Sequence, residues 1–408
     1  MENTHNKIPE NVSNSIDKLL SADSFAPGFV KKFLMKSVEL KASDIFVEPL
    51  DNQLRIRFRI DGILHTIDTC PPKNAQSVAS CIKVISDLDI AEHRLPQDGR
   101  FRIFIDNKPI DFRVSVLPTN IGEKIVLRVL DKGNMRLDLD TLNFDKECIE
   151  TLKRNLAKPY GMILACGPTG AGKTTTLYSA LSHINKIDVN IMTAEDPIEY
   201  QLQGINQVAI HEDIGLTFAS VLRAALRQDP DIILVGEIRD LETADVAVKA
   251  ALTGHLVLST LHTTTATGAV IRFISMGVEP FLLASSCVMT SAQALMRTLC
   301  PKCKKPLKDK DALMEVFKSE EFIPQKEPEF FEPVGCDYCS KTGYKGRVGI
   351  MEILEITKDI RELLVANADE NNIRKVAKDA GMITIRERAL QKVVLGLSTM
   401  DEVYRVTV

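Results

Sequence analysis

Residues 161–166, Gly-Met-Ile-Leu-Ala-Cys, run directly into Gly167-Pro168-Thr169-Gly170-Ala171-Gly172-Lys173-Thr174, and from there into a helical pattern. This junction constrains the chain more than any other stretch. An apolar strand, a G-x-x-x-x-G-K-T turn and a helix together give a phosphate-binding loop the context that makes the motif meaningful. The glycines let backbone N–H groups point inward as an anion nest, and the start of the following helix adds partial positive charge. Lys173 is then the residue that reaches β- and γ-phosphates, and the Thr174 hydroxyl, followed by Thr175, is placed to ligate Mg²⁺. A chance match in a Gly-rich turn would not require the flanking strand and helix.

A chain of 408 residues exceeds one ordinary core, so two or three domains are expected. With 45% hydrophobic and 26% charged residues, the composition is that of a soluble globular protein. The net charge of −4 offers no bulk attraction to nucleic acid or anionic lipid and leaves only local basic patches for such a role. No apolar run approaches the ~18 residues of a membrane span. The opening Met-Glu-Asn-Thr-His has no basic stretch followed by an apolar one, so no signal peptide is expected and a cytosolic location is.

Residues 1–26 are polar and Ser/Asn-rich and read as partly disordered. Phe29, Val30, Phe33, Leu34, Val38 and Leu40 fall near a helical period. Residues 54–60 alternate apolar side chains with Arg55, Arg57 and Arg59, and end at Asp61-Gly62, a hairpin signal. A helix is expected over 73–90 and strands over 101–105, 110–117 and 124–130, closing a small N-terminal α/β domain at 27–133. From 134 to 296, apolar runs at 161–166, 190–194, 232–235 and 256–261 alternate with helical patterns. That order implies a parallel, doubly wound sheet. Cysteines mark 297–350, and 351–408 is helical and amphipathic.

Chemistry beyond the loop needs a carboxylate to orient water and cations to meet the transition state. Residues 232–237, Ile-Ile-Leu-Val-Gly-Glu, form an apolar strand ending in Glu237, the shape of a Walker B motif with Gly236 where Asp is usual. Glu195-Asp196-Pro197 is a second acidic strand end. In a parallel sheet these ends converge on the ligand crevice; solvated loop carboxylates are the bland alternative. His255 and His262 flank the apolar run 256–261, where Ser and Thr neighbours suggest a γ-phosphate sensor over an ordinary structural histidine. Arg113 and Arg128 on strands would by default be surface arginines. Cys300-x₂-Cys303 and Cys336-x₂-Cys339 fit a closed four-thiolate Zn²⁺ site, hence a structural metal. The other five cysteines read as reduced, partly buried thiols.

These motifs occur in a fixed order: Ala42-Ser-Asp-Ile-Phe-Val-Glu-Pro49, Arg94-Leu-Pro-Gln-Asp-Gly-Arg100, the phosphate loop, Glu195-Asp-Pro-Ile-Glu199, Gly236-Glu-Ile-Arg-Asp240, Thr253-Gly-His through Leu261-His-Thr263, and the two cysteine pairs. Over residues 27–408 the chain resembles the secretion-traffic ATPases of type II secretion and type IV pilus assembly. The resemblance implies a small α/β N-terminal domain, a RecA-like P-loop core with a mainly parallel sheet, a tetracysteine zinc module and a helical C-terminal region. It also implies a homo-hexameric ring on the cytoplasmic face of the inner membrane, working with an inner-membrane platform protein, with ATP bound between two domains.

By the same resemblance Glu195 belongs to the Asp box, Glu237 to Walker B, and His255 and His262 to the His box. Arg113 and Arg128 match arginines that reach the nucleotide from the N-terminal domain. Arg223 and Arg227 match a second pair near ATP, while Arg239 and Arg272 fall in matching stretches. Either Glu237 or Glu195 could activate water. Departures are Phe46 for His, Thr264 for Asn and Ala171 for Ser. Retraction members lack the cysteine module, which favours an assembly or secretion motor, slightly closer to the type II branch. About 40 residues precede the first motif, fewer than is usual, which leaves docking to the platform open. Two alternatives are a ring-shaped nucleic-acid translocase and a non-hydrolysing nucleotide-dependent scaffold. The first is disfavoured by the absence of Trp and of a basic-aromatic strip.

Overall fold

The computed structural model describes residues 24–106, 108–131, 137–324 and 326–407, so the polar segment 1–23 and the junction 132–136 lie outside the described residues. The chain divides into two compact units, Met1–Met135 and Arg136–Val408.

Within the first unit the elements are α1 (Phe25–Glu39), β1 (Asp44–Leu50), β2 (Gln53–Ile60), β3 (Ile63–Cys70), α2 (Ala75–Ile85), β4 (Gln97–Ile105), β5 (Lys108–Pro118) and β6 (Glu123–Asp131). The six strands form one antiparallel sheet in the order β3-β2-β1-β6-β5-β4. Asp61 and Gly62 both have positive φ, as the tight hairpin between β2 and β3 requires. The alternation in β2 sorts the faces. Leu54, Ile56 and Phe58 are buried with Val30, Phe33 and Leu34 of α1 and Val78 and Ile82 of α2. Arg55, Arg57 and Arg59 project to the other face, where Glu48 accepts two hydrogen bonds from Arg57, each 2.7 Å.

The second unit contains α3 (Lys146–Leu156), β7 (Gly161–Cys166), α4 (Lys173–Ile184), β8 (Ile191–Glu195), β9 (Asn206–Ala209), α5 (Phe218–Ala225), β10 (Ile232–Val235), α6 (Leu241–Leu252), β11 (Leu256–Leu261), α7 (Ala266–Ser275) and α8 (Pro280–Ser286). It continues with β12 (Cys287–Leu299), β13 (Lys305–Pro306), α9 (Lys310–Ser319), β14 (Phe331–Glu332), β15 (Tyr344–Glu355), α10 (Lys358–Val365), α11 (Glu370–Asp379), α12 (Ile385–Val394) and α13 (Met400–Val406). Seven strands form one sheet, β15-β12-β7-β11-β10-β8-β9, in which β15 alone runs antiparallel.

Helices cover both faces of this sheet. Met162, Leu164 and Cys166 of β7 pack with α5 to α8 on one side, and Ile163 and Ala165 pack with α3 and α4 on the other. A strand buried on both faces reads as a continuous apolar run, and β7 is such a strand. The cysteine segment is an insertion between β12 and β15, which pair with each other. The limits 297 and 350 expected for that segment therefore fall inside these strands. Met296 and Ile350 share a core with Phe317 of α9, Leu390 of α12 and Val403 of α13.

Candidate active site

The phosphate loop is shaped by three glycines with positive φ: Gly167 at 146°, Gly170 at 80° and Gly172 at 87°. Pro168, Thr169 and Gly170 are exposed, whereas Ala171 is buried and anchors the turn. α4 starts at Lys173 with Gly172 as its N-cap and no side chain capping its first amides. Those amides are an anion site by default. Thr174 is exposed on the first turn of α4, with Thr175 half-buried beside it. Lys173 Nζ donates to Gly167 O at 2.7 Å and Pro168 O at 3.2 Å. Burial pulls its pKa below the ordinary lysine value, against the opposing pull of Cys166 and Glu237.

Parallel register brings the acids to the same sheet edge. Leu261 lies opposite Cys166, Val235 opposite Ser259, and Ala194 opposite Val235. Beyond β10 the turn is fixed by Gly236 N donating to Ala194 O at 2.7 Å and Thr260 Oγ1 donating to Gly236 O at 2.7 Å. A Cβ on Gly236 would stand 3.2 Å from Ala194 O, so the backbones of β8 and β10 approach closely at this position.

The two acids differ in what surrounds them. Glu237 lies 3.1 Å from His262 Nε2 through Oε2 and pairs with Arg239 through Oε1, and its side chain is 15% exposed. That ion pair is the main reason the Arg239 pKa is raised. Glu195 is 4% exposed and accepts hydrogen bonds from Tyr178 Oη, Thr193 Oγ1 and Gln207 Nε2. Burial is the main reason the Tyr178 hydroxyl is pushed up, and Glu195 pushes it further.

The other expected residues have different partners. His255 precedes β11, at the end of the strand opposite His262, about 20 Å away for six residues of strand. Its Nδ1 lies 2.9 Å from Ala250 O, closing α6 onto β11. The two histidines, paired in the sequence reading, are thus separated by the length of a strand. Arg223 donates to Glu242 at 2.6 Å, and Arg227 donates to the Arg223 carbonyl at 2.7 Å, both on the exposed side of the α5 segment. In the first unit, register aligns Arg59, Asp44, Arg128, Arg113 and Arg100 in one row across five strands. Arg128 Nε donates to Asp44 Oδ1 at 3.2 Å within that row.

The four cysteines of the insertion converge. Their sulfurs all lie within 4.8 Å of one another, with Cys300–Cys336 at 3.9 Å, Cys303–Cys339 at 3.8 Å and Cys336–Cys339 at 3.8 Å. A tetrahedron with Zn–S bonds of ~2.3 Å has edges of about 3.8 Å, so the donor set fits a four-thiolate metal. Burial opposes ionisation of Cys339, but amide donors from Cys336 and Gly343, 3.2 Å away, help bring its thiol down to about 6. The remaining cysteines are unpaired and buried, and burial pushes the thiols of Cys166 and Cys287 up to about 12.

Comparison with known proteins gives this geometry a lineage. The type II/IV secretion system protein family model matches residues 20–405. The type IV pilus assembly ATPase PilB of Myxococcus xanthus is 47% identical over 404 residues, covering 97% of this chain and 71% of that protein. The chain belongs to the type II/IV secretion system protein family. Within it, this chain is a P-loop ATP hydrolase. The type II secretion system protein E of Aeromonas hydrophila is 46% identical over 404 residues, 98% of this chain and 79% of that one. Among solved structures, the pilus retraction motor PilT with bound ADP matches with a TM-score of 0.61 at 26% identity, covering 92% of this chain and 96% of that one.

Against the family pattern, the departures have physical readings. Ala171 contributes its backbone, so losing a hydroxyl there leaves the nest intact. Phe46 lies beneath the Arg59 guanidinium, 5.3 Å from ring centre to Cζ, and an aromatic face suits that cation. Thr264 is exposed in the turn after His262. Sequence reasoning missed Tyr178 and Gln207, the donors that close off Glu195. No local pattern marks them, because each meets Glu195 only through tertiary packing.

Proposed function

We propose that this member of the type II/IV secretion system protein family hydrolyses MgATP to drive assembly of a pilus or pseudopilus. It would act as a homo-hexamer against an inner-membrane platform protein, peripheral to the cytoplasmic face. Among the described residues no helix is long and apolar enough to cross a membrane, in keeping with a peripheral role. The carrying observation is the shared sheet edge, where the phosphate loop bearing Lys173 follows β7 and where Glu237 and His262 follow the neighbouring parallel strands β10 and β11.

In this reading the loop amides and Lys173 hold the phosphates, and Thr174 ligates Mg²⁺, which when bound neutralises charge on the β- and γ-oxygens. Glu237 orients and deprotonates the attacking water. His262 faces the γ-phosphate, and Arg113 and Arg128 are the cations supplied by the first unit. Arg223 and Arg227 are assigned to a nucleotide on family resemblance. Glu195 keeps the strand end in shape, and Cys300, Cys303, Cys336 and Cys339 hold a structural Zn²⁺.

The test is phosphate release by the purified protein, with Lys173→Ala as the comparison. Turnover should depend on Mg²⁺ and vanish in the variant, and cells carrying the variant should assemble no fibre. Equal phosphate release from both proteins would overturn the assignment. Elemental analysis should find one zinc per chain, lost in Cys336→Ser.

A further inference from the structure

β12 runs parallel to β7 with Ala292 opposite Cys166, so the next residue, Gln293, stands beside the first glycine of the phosphate loop. Gln293 is 0% exposed, and its Nε2 donates to Ala171 O at 2.9 Å. Its own carbonyl oxygen would lie 2.4 Å from a Cβ on Gly167, and its Nε2 3.4 Å from a Cβ on Gly172. One residue therefore borders the loop at its first glycine, its fifth position and its last glycine. Its Oε1 is buried and makes no hydrogen bond. A strand buried on both faces is cheapest when apolar, and an amide with one unmade bond is costly there. Core filling alone gives no reason for it.

Peptide geometry supplies one. In a trans peptide the C=O and the next N–H point in opposite directions. Fixing the Ala171 carbonyl against the Gln293 amide turns the Gly172 N–H away from that side chain, the orientation an amide needs to meet an anion held by the loop. We infer that Gln293 is a positioning residue of the nucleotide site, holding the Ala171–Gly172 peptide in the orientation that presents its amide to phosphate. The inference rests on reading residues 167–174 as an ATP-binding loop. Loop amides of this kind cradle the α- and β-phosphates, which ADP and ATP share. Loss of the Gln293 contact must then weaken both nucleotides equally, in contrast to loss of a γ-phosphate contact.

The experiment measures equilibrium binding of fluorescent ADP and ATP to the full chain, alongside Tm without nucleotide. Gln293→Leu and Gln293→Met remove the donor while keeping a side chain of similar bulk. Both should raise Kd for ADP and ATP in parallel, by roughly tenfold. The nucleotide-free Tm of at least one should stay near that of the wild type. Gln293→Glu, which sets a carboxylate against the Ala171 carbonyl and near phosphate, should be weaker still. Wild-type Kd in either apolar variant would overturn the role of Gln293 while leaving the loop assignment standing. So would a loss confined to ATP, or a loss of affinity seen only together with a large fall in Tm in both. Wild-type protein that binds neither nucleotide would instead remove the loop reading on which the inference depends.

Discussion

Glu195 ends β8, and Glu237 follows β10, the strand hydrogen-bonded to it, yet the two carboxylates have different neighbours. The end of β8 is closed: three neutral donors converge on Glu195, which is almost fully buried. The end of β10 is open, and Glu237 meets a histidine and an arginine, both more than half exposed. A carboxylate saturated by neutral donors is a structural anchor, because reorienting it would strand three buried groups. A carboxylate held by exposed partners, at the strand ends near the phosphate loop, can exchange partners during a reaction. Position at a strand end nominates an acid, and surroundings decide what it does.

The sharpest way to break this contrast is Glu237→Gln, which removes charge and keeps shape. Turnover should fall by roughly 10²–10⁴-fold, the range for a lost general base, with nucleotide affinity retained. Single-turnover phosphate release and equilibrium binding read the two separately. Glu195→Gln should do the reverse. Its amide NH₂ would face donors in place of an acceptor, destabilising the second unit by about 1–3 kcal/mol. The folded protein should keep turnover within about tenfold of wild type. Thermal unfolding with kinetics on the soluble fraction decides, and a collapse of kcat at unchanged Tm would exchange the two roles.

Tyr178→Phe is a milder version of the same change. It removes one of the three donors and should cost roughly 1–1.5 kcal/mol, measurable by denaturant titration. The smallest effect is expected at His262→Gln, where ATP affinity should weaken about three- to tenfold while ADP affinity holds. A parallel loss for both nucleotides would remove His262 from the γ-phosphate.

Much of this was legible in the sequence, for local reasons. The phosphate loop, the β10 and β11 runs and the strand-end acids are contiguous apolar segments punctuated by glycine or carboxylate, and β10 and β11 have the expected limits. The alternating β2 and the Asp61-Gly62 turn are equally local. What escaped depends on pairing across the chain. β12 carries no period-2 signal because nearly all of it is buried on both sides, so the cysteine segment reads as separate when it is an insertion within the sheet. The distance between His255 and His262 follows from strand direction, which spacing alone does not report. Gln293 looks like one polar residue among small apolar ones until β12 is laid against β7.

The ladder joining β12 to β15 runs from Met289 opposite Glu355 to Leu299 opposite Tyr344, and Cys300 comes immediately after. The four-cysteine cluster therefore sits at the end where the insertion joins the two strands of a long hairpin, with Cys300 seven residues past the glutamine that borders the nucleotide turn. A metal bound there would pin the end from which that ladder frays toward Gln293. The proposed brace and a metal held in that cluster would then share one ladder of hydrogen bonds.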